Sequence, residues 1–517
     1  MTQPTNSTGE LQAIAATAAG RPAEDPHYAR RWWILALLGT AQLMVVLDAT
    51  IVNIALPHAQ AALGFSNNDR QWIVTGYSLA FGSLLLLGGR IADLFGRKQV
   101  FIIGVIGFAA ASAFGGAAQN FDMLLIGRVV QGAFGALLAP ATLSLLTTTF
   151  RNPVERTRAM GIYGGIAGAG ASVGLLLGGI LTEYLDWRYV MYVNVLIAAL
   201  ALLGGVTLLK HIAVPDRPRL DLVGTVLAGV GLFAIVYGFS NASMSSGSSG
   251  WTKPATLGTL IGGAVLLVAF AFVEQRVAHP LLPLRVIADR NRAGAYLAMF
   301  FAAIGMFGVF LFLTYYLEEN LQWSAVKTGV AFLPLTLVLV VVAAIGNTVL
   351  LTRVSARVLV PFGLLTAAVG MALLTNIGLT SNYTADVLPT LLLVGAGLGL
   401  VFAPAFTIGT LGVEPDDAGV ASAMVNVAQQ IGGSIGTSLL NTIAAVVASG
   451  YIASHAASIT STATRQLVQA NSLVGSYHTV FWAAAAIYAG AAVLCALVLR
   501  SGVAIPKDGS AEPMVHA

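Results

Sequence analysis

In so apolar a chain, the residues able to do chemistry are few, and the most telling is an acid. Asp48 sits in the run Leu47-Asp48-Ala49-Thr50-Ile51-Val52-Asn53-Ile54-Ala55-Leu56-Pro57. A carboxylate inside a membrane helix costs at least about 2.5–3.5 kcal/mol, so it must face a polar cavity or a partner. Two roles are open to it: a group that takes up and releases a proton, or a permanently ionised packing group held by amides or an arginine. Asn53, in the same run, is a further cavity candidate. A second run, Leu125-Ile126-Gly127-Arg128-Val129-Val130-Gln131-Gly132, holds the one basic side chain well inside an apolar segment. Arginine keeps its proton in a protein. Arg128 is therefore a fixed charge that can compensate a carboxylate, bind an anion or knit backbone carbonyls together, with Gln131 three residues on.

Three other groupings matter. Gly89-Arg90-Ile91-Ala92-Asp93-Leu94-Phe95-Gly96-Arg97-Lys98 joins two apolar runs so tightly that a sharp turn is needed, which Gly96 can supply with positive φ. Asp93 with Arg90, Arg97 and Lys98 can form a charge cluster there that also touches a neighbouring helix end through its dipole. Gly170, Gly174 and Gly178 recur every four residues, with Gly179 beside them, and so form a face for close helix packing. Asn426 and Gln430 share another helix face, either lining a cavity or bonding to neighbouring helices. His58 and His478 read as solvated groups at span ends, Glu274, Glu318 and Glu319 as boundary charges, and Asp221 as a helix cap.

These side chains need a scaffold, and composition says which. Charged residues make up 9% of the chain and hydrophobic ones 57%, against about a quarter charged in ordinary soluble domains. So few charges cannot cover a water-facing surface, and the apolar surface must lie in lipid. Spanning the hydrocarbon needs roughly twenty apolar residues in a helix. Fourteen such runs fall at about 32–57, 71–89, 99–118, 122–149, 159–181, 188–210, 221–241, 255–274, 293–317, 328–350, 355–378, 386–411, 419–447 and 478–500.

Charge placement supports that number. With the N-terminus cytoplasmic, twenty basic residues fall in cytoplasmic segments and five (Arg70, Arg188, Lys253, Lys327 and Arg465) outside, as the positive-inside rule demands. The gap after the twelfth run is the exception, with Glu414, Asp416 and Asp417 and no basic residue. The stretches 241–254 and 450–477 read as mobile outer surface. The polar N-terminus lacks the apolar core of a signal peptide. The net charge of +4 is a topology signal, not a nucleic-acid face. No phosphate-binding glycine loop, zinc spacing or Ser-His-Asp arrangement stands out. The single cysteine, Cys495, allows no intramolecular disulfide. No cofactor and no enzymatic activity are expected.

The Gly89–Lys98 run resembles the G-x-L-A-D-R-x-G-R-K loop of the major facilitator superfamily, with Arg90 and Leu94 departing from the commonest residues. The Asp48 run resembles the L-D-x-T-I-V-N-V-A-L-P element of that superfamily's fourteen-span drug:proton antiporter branch. Arg128, Gln131 and Gly132 resemble its R-x-x-Q-G element, usually discussed in terms of proton transfer. The segment Gly170–Gly179 resembles the antiporter element G-x-x-x-G-P-x-x-G-G, with Leu175 in place of proline, so the bend loses its usual covalent cause. Asp186-Trp187-Arg188 and the thirteenth run are also similar to that branch. A weaker echo of the loop, without the aspartate, runs from Gly346-Asn347 through Arg353 and Arg357, and an internal repeat of loops fits a transporter built from two related halves.

The resemblance implies an all-α membrane bundle: a tail at 1–31, a six-helix half at 32–210, two extra spans at 221–274, a second half at 293–500 and a cytoplasmic tail at 501–517. It implies a monomeric plasma-membrane protein that exports drugs or similar amphipathic molecules against protons by rocking of the halves. The alternatives are an uptake symporter, a dedicated exporter of a metabolite or natural product, and a non-transporting receptor or scaffold. Substrate identity is not legible.

Overall fold

The computed structural model describes residues 29–65, 67–150, 152–210, 221–244, 249–277, 280–414, 417–456 and 461–502. Most of the expected tails at 1–31 and 501–517, and Arg21, Arg151, Arg217, Arg219, Asp416 and Lys507, lie outside them. Among the described residues fourteen long helices carry the fold: α1 (Arg31–Leu63), α2 (Asn67–Phe95), α3 (Arg97–Gly116), α4 (Phe121–Thr149), α5 (Pro153–Tyr184), α6 (Tyr189–Leu208), α7 (Leu222–Met244), α8 (Pro254–Glu274), α9 (Arg290–Glu318), α10 (Val326–Leu350), α11 (Ala356–Leu374), α12 (Tyr383–Thr410), α13 (Ala418–Ser454) and α14 (Thr462–Val498). No strand occurs among the described residues. Thirteen of the helices, or fourteen with the bent α5, are long and apolar enough to cross a bilayer.

Local sequence sets the ends. Asn120 accepts from the Met123 amide to start α4, and Asn152 does the same for α5 ahead of Pro153. Asp289 caps α9, and Ser461 with Thr464 forms a capping box on α14. Between α2 and α3 only Gly96 is left to turn the chain, at φ 96°. The expected loop at 89–98 is therefore helical through Phe95. Neither half of the molecule loses a span by this shift.

Helix pairing repeats. In the first half α1 packs on α4, α5 and α6, while α4 packs on α2 and α3, and α3 on α6. The second half follows the same scheme eight helices later: α9 on α12, α13 and α14, α12 on α10 and α11, and α11 on α14. Contacts between halves repeat as well, α5 against α10 and α12, and α13 against α2 and α4. The extra pair sits to one side, with α7 packed on α2 and α13, and α8 mainly on α7. The result is two similarly packed six-helix halves with two added helices beside them.

Two expectations need correction. The stretch 450–477 is mostly helix, because α13 and α14 each run for 37 residues, well past the runs that apolarity alone marked. These helices are about 55 Å long, against about 30 Å of hydrocarbon. The Ser/Gly-rich stretch at 241–254 also carries helix, at the end of α7 and at Ser249–Thr252. Trp251 there donates from Nε1 to Thr442 of α13, 3.1 Å away.

The acidic exception at the end of α12 also has a physical account. Asp417 and Glu414 lie 2.8 and 3.3 Å from Arg285, which comes from the linker before α9. The missing basic residues are supplied from another gap.

Candidate functional site

The fold brings Asp48, Arg128 and Gln131 together inside the first half, all essentially without solvent access. Arg128 Nη1 donates to Asp48 Oδ2 at 2.6 Å and to Gln131 Oε1 at 2.6 Å. Gln131 Nε2 donates to Asp48 Oδ1 at 2.7 Å and to Ser112 Oγ at 2.6 Å. Asn194 of α6 donates a third bond to the carboxylate, 2.7 Å to Oδ1. The guanidinium lies 4.3 Å from the centre of the Tyr77 ring, and its Nε faces the Ile73 carbonyl at 3.4 Å. Five helices, α1, α2, α3, α4 and α6, thus converge on one ion pair.

Such a pair is costly to bury and more costly to break. Removing one partner strands a charge and typically costs about 3–5 kcal/mol. The Tyr77 ring and the Ile73 carbonyl belong to α2, so the guanidinium links the ion pair to the helix that ends at Phe95, two residues past Asp93.

Sequence reasoning missed Asn194, Ser112 and Tyr77. Asn194 was legible in principle, as a lone amide in the middle of an apolar span. Ser112 sits among alanines and glycines, where it looks like a packing residue. Asn53 does not join the cluster. It is half-buried, and its side-chain amide turns back to the Ala49 carbonyl of its own helix at 3.5 Å.

The expected four-membered charge cluster at the end of α2 divides. Asp93 Oδ1 pairs with Arg97 at 3.4 Å. Its Oδ2 has no hydrogen-bond donor and faces the start of α13, where a Cβ on Gly419 would overlap the carboxylate. The first amides of that helix present a positive dipole end to the acid. One turn earlier, a Cβ on Gly89 would fall 2.8 Å from the Gly419 carbonyl oxygen. Arg90 is buried nearby. Lys98 leaves the cluster, its Nζ bonding the Leu209 and Val206 carbonyls at the end of α6, at 2.5 and 3.1 Å.

The echo in the second half has a matching job. Arg357 donates from Nε to the Ala496 carbonyl near the end of α14, at 2.7 Å. It stands to α14 as Lys98 stands to α6. Asn347, expected in the loop, lies in a π-turn at the end of α10. There it bonds the Thr157 carbonyl of α5 and accepts from Thr407 of α12 at 3.0 Å.

The glycine face of α5 meets α1. A Cβ on Gly170 would come 2.7 Å from Val46 Cγ1, one on Gly174 would overlap Thr50 Oγ1, and one on Gly178 would lie 3.0 Å from the Ile51 carbonyl oxygen. Gly179 is buried beside them. Although Leu175 replaces proline, α5 bends by 42° between Val154–Gly170 and Ser172–Tyr184. Glycine and serine at the break let the helix bend without proline. On α13, Asn426 is buried but bonds the Ser422 carbonyl of its own helix at 2.9 Å, and Gln430 is half-buried.

Among the minor candidates, Asp221 caps α7 by accepting from the Gly224 amide at 2.9 Å. His478 Nε2 contacts the Ile377 carbonyl at 2.5 Å. Glu274 is no boundary charge: it is 4% exposed. Among the described residues no group of three or more His, Cys, Asp or Glu could hold a metal.

A family model described as Major Facilitator Superfamily matches residues 38–437. The chain is 48% identical to the puromycin resistance protein pur8 of Streptomyces alboniger, over 87% of this chain and 88% of that one. It is 38% identical to the cephamycin export protein CmcT of Amycolatopsis lactamdurans, over 81% of this chain and 87% of the relative. Among solved structures, the proton:xylose symporter XylE aligns with a TM-score of 0.59 at 14% identity, covering 91% of this chain and 95% of that one. The human organic anion transporter MFSD10 aligns with a TM-score of 0.57 at 15% identity, over 90% of this chain and all of the other. Paired halves, two added helices, a buried acid–arginine pair and a one-glycine turn between α2 and α3 all agree with that match, and the chain belongs to the major facilitator superfamily.

Proposed function

We propose that this protein exports an antibiotic or similar amphipathic small molecule across the plasma membrane in exchange for protons. Export of antibiotics is supported by the relatives named for puromycin resistance and cephamycin export, each aligned over most of its length. Proton coupling is supported above all by the Asp48–Arg128 pair, buried among five helices with its one acid on α1. The basic side of the bundle, with both termini, faces the cytoplasm, the molecule works as a monomer, and no catalytic chemistry is involved.

The cycle couples the two sites through α2. When Asp48 is ionised, the pair with Arg128 is complete and α2 is held by the Tyr77 ring and the Ile73 carbonyl. Taking up a proton breaks the pair, and Arg128 must be compensated by a new arrangement of α2 and α4. Movement of α2 carries Asp93 away from the α13 N-terminus, and the halves part on the cytoplasmic side. Proton release restores the pair. Each charge crossing 100 mV contributes about 2.3 kcal/mol, enough to drive drug outward without ATP. The domain division that serves this motion is 32–210 against 293–500, with 221–274 riding alongside.

Drug accumulation in cells lacking other pumps tests the reading. Cells expressing the wild type should accumulate less puromycin-like or β-lactam compound than control cells, and an uncoupler should abolish the difference. Accumulation lowered equally with and without a proton gradient would refute proton coupling.

A further inference from the structure

The extra spans hold an acid pair that the transport cycle does not use. Asp221 begins α7 and Glu274 ends α8, and they are 8% and 4% exposed. Each has one oxygen satisfied by backbone: Asp221 Oδ1 accepts from the Gly224 amide at 2.9 Å, and Glu274 Oε2 from the Leu282 amide at 3.0 Å. The other two oxygens, Asp221 Oδ2 and Glu274 Oε1, are buried without a donor. Both crowd the same point, since a Cβ on Gly224 would overlap the two of them at once.

None of the ion pairs among the described residues includes either acid. Arg285, three residues beyond Leu282, is committed to Glu414 and Asp417. On α2, which packs on α7, Asp93 pairs with Arg97, and Arg90 lies near Asp93 and Asp417. Arg276 follows Glu274 after one residue and makes no ion pair with it. Arg217 and Arg219, close before Asp221, lie outside the described residues. Two carboxylates cannot both stay ionised face to face in a desolvated spot. One proton resolves the conflict, because a protonated carboxyl supplies the donor that both orphaned oxygens lack.

We infer that Asp221 and Glu274 form a second proton-binding site, holding one proton between Oδ2 and Oε1, separate from the Asp48 cluster. That proton closes the α7–α8 hairpin at its base. Through the Leu282 amide it also ties the hairpin to the linker that leads into α9.

Infrared spectroscopy of the purified full-length protein in lipid nanodiscs tests this. The wild type at pH 7 should show a protonated-acid C=O band that shifts in D2O. Glu274→Gln and Asp221→Asn should each remove it, because the new amide is itself a donor and the remaining carboxyl needs no proton. Asp48→Asn should leave it in place. Melting curves establish that each variant is folded. A band that survives in a folded Glu274→Gln or Asp221→Asn protein overturns the inference. Should a variant not fold, the wild type alone decides: absence of any D2O-sensitive acid band at pH 7 means that both carboxylates are ionised, for instance against an arginine from 211–220, and the site does not exist.

Discussion

Asp93 of α2 and Gly419 of α13 are in direct contact across the two halves, and any side chain at 419 would overlap the carboxylate. The acid lies against the start of a helix whose first amides are free to receive it. Replacing the glycine therefore tests whether this contact holds the molecule closed on one side.

Gly419→Val should push α2 and α13 apart, since the Cβ would lie 2.6 Å from Asp93 Cγ. Efflux should fall to the background of cells without the transporter, while membrane expression stays normal. Cysteine cross-linking between positions near 93 and 419 should also become slower. Unchanged cross-linking would mean that the contact is not a closing element.

Asp48→Asn and Arg128→Gln should each lower stability by about 3–5 kcal/mol, because each leaves its partner buried without charge compensation. The double variant should cost less than the sum, since removing both ends strands nothing. Thermal melting in detergent gives the cycle. All three proteins should lose proton-driven efflux.

Gly174→Ala places a methyl group on Thr50 and within 3.0 Å of the Leu47 carbonyl oxygen. Destabilisation of about 1–3 kcal/mol is expected from overpacking. Adding Thr50→Ala should recover only part of the loss, because the carbonyl belongs to the backbone of α1 and cannot be trimmed. Melting temperatures of the single and double variants decide the point.

Asp417 lies outside the spans, and burial pushes its carboxyl above the usual aspartate range, with Arg285 pulling the other way and Glu414 adding to the rise. The folded protein thus binds this proton more tightly than the unfolded chain. Between the unfolded value and the raised one, stability should fall as pH rises and then level off. Asp417→Asn should remove that slope from a plot of melting temperature against pH. An identical slope in the variant would place the titration elsewhere.

Much of this architecture can be read from the chain because lipid leaves few solutions: runs of about twenty apolar residues must be helices, and basic residues mark one side. Helix ends were less legible where polarity and helicity part company. α13 and α14 continue far into polar sequence, and α2 keeps its helix through Asp93 to Phe95. At the site, Asp48, Arg128 and Gln131 announced themselves as expensive residues in apolar surroundings. Asn194 donates to the Asp48 carboxylate and Ser112 accepts from Gln131, each from another helix, and only tertiary packing shows that. Glu274 misled for the opposite reason: its place at a span end looks solvated, while the linker at 280–282 folds back to cover it.

The 37-residue α13 and α14 also make a mechanical lever. Each is about 25 Å longer than the hydrocarbon is thick, so the pair cannot stand wholly within it along the bilayer normal. A few degrees of tilt at their base becomes an ångström-scale swing near Ser454 and Ser461. A spin label or fluorophore at either serine would report the transport stroke from outside the bilayer, without disturbing a single residue that handles cargo or charge.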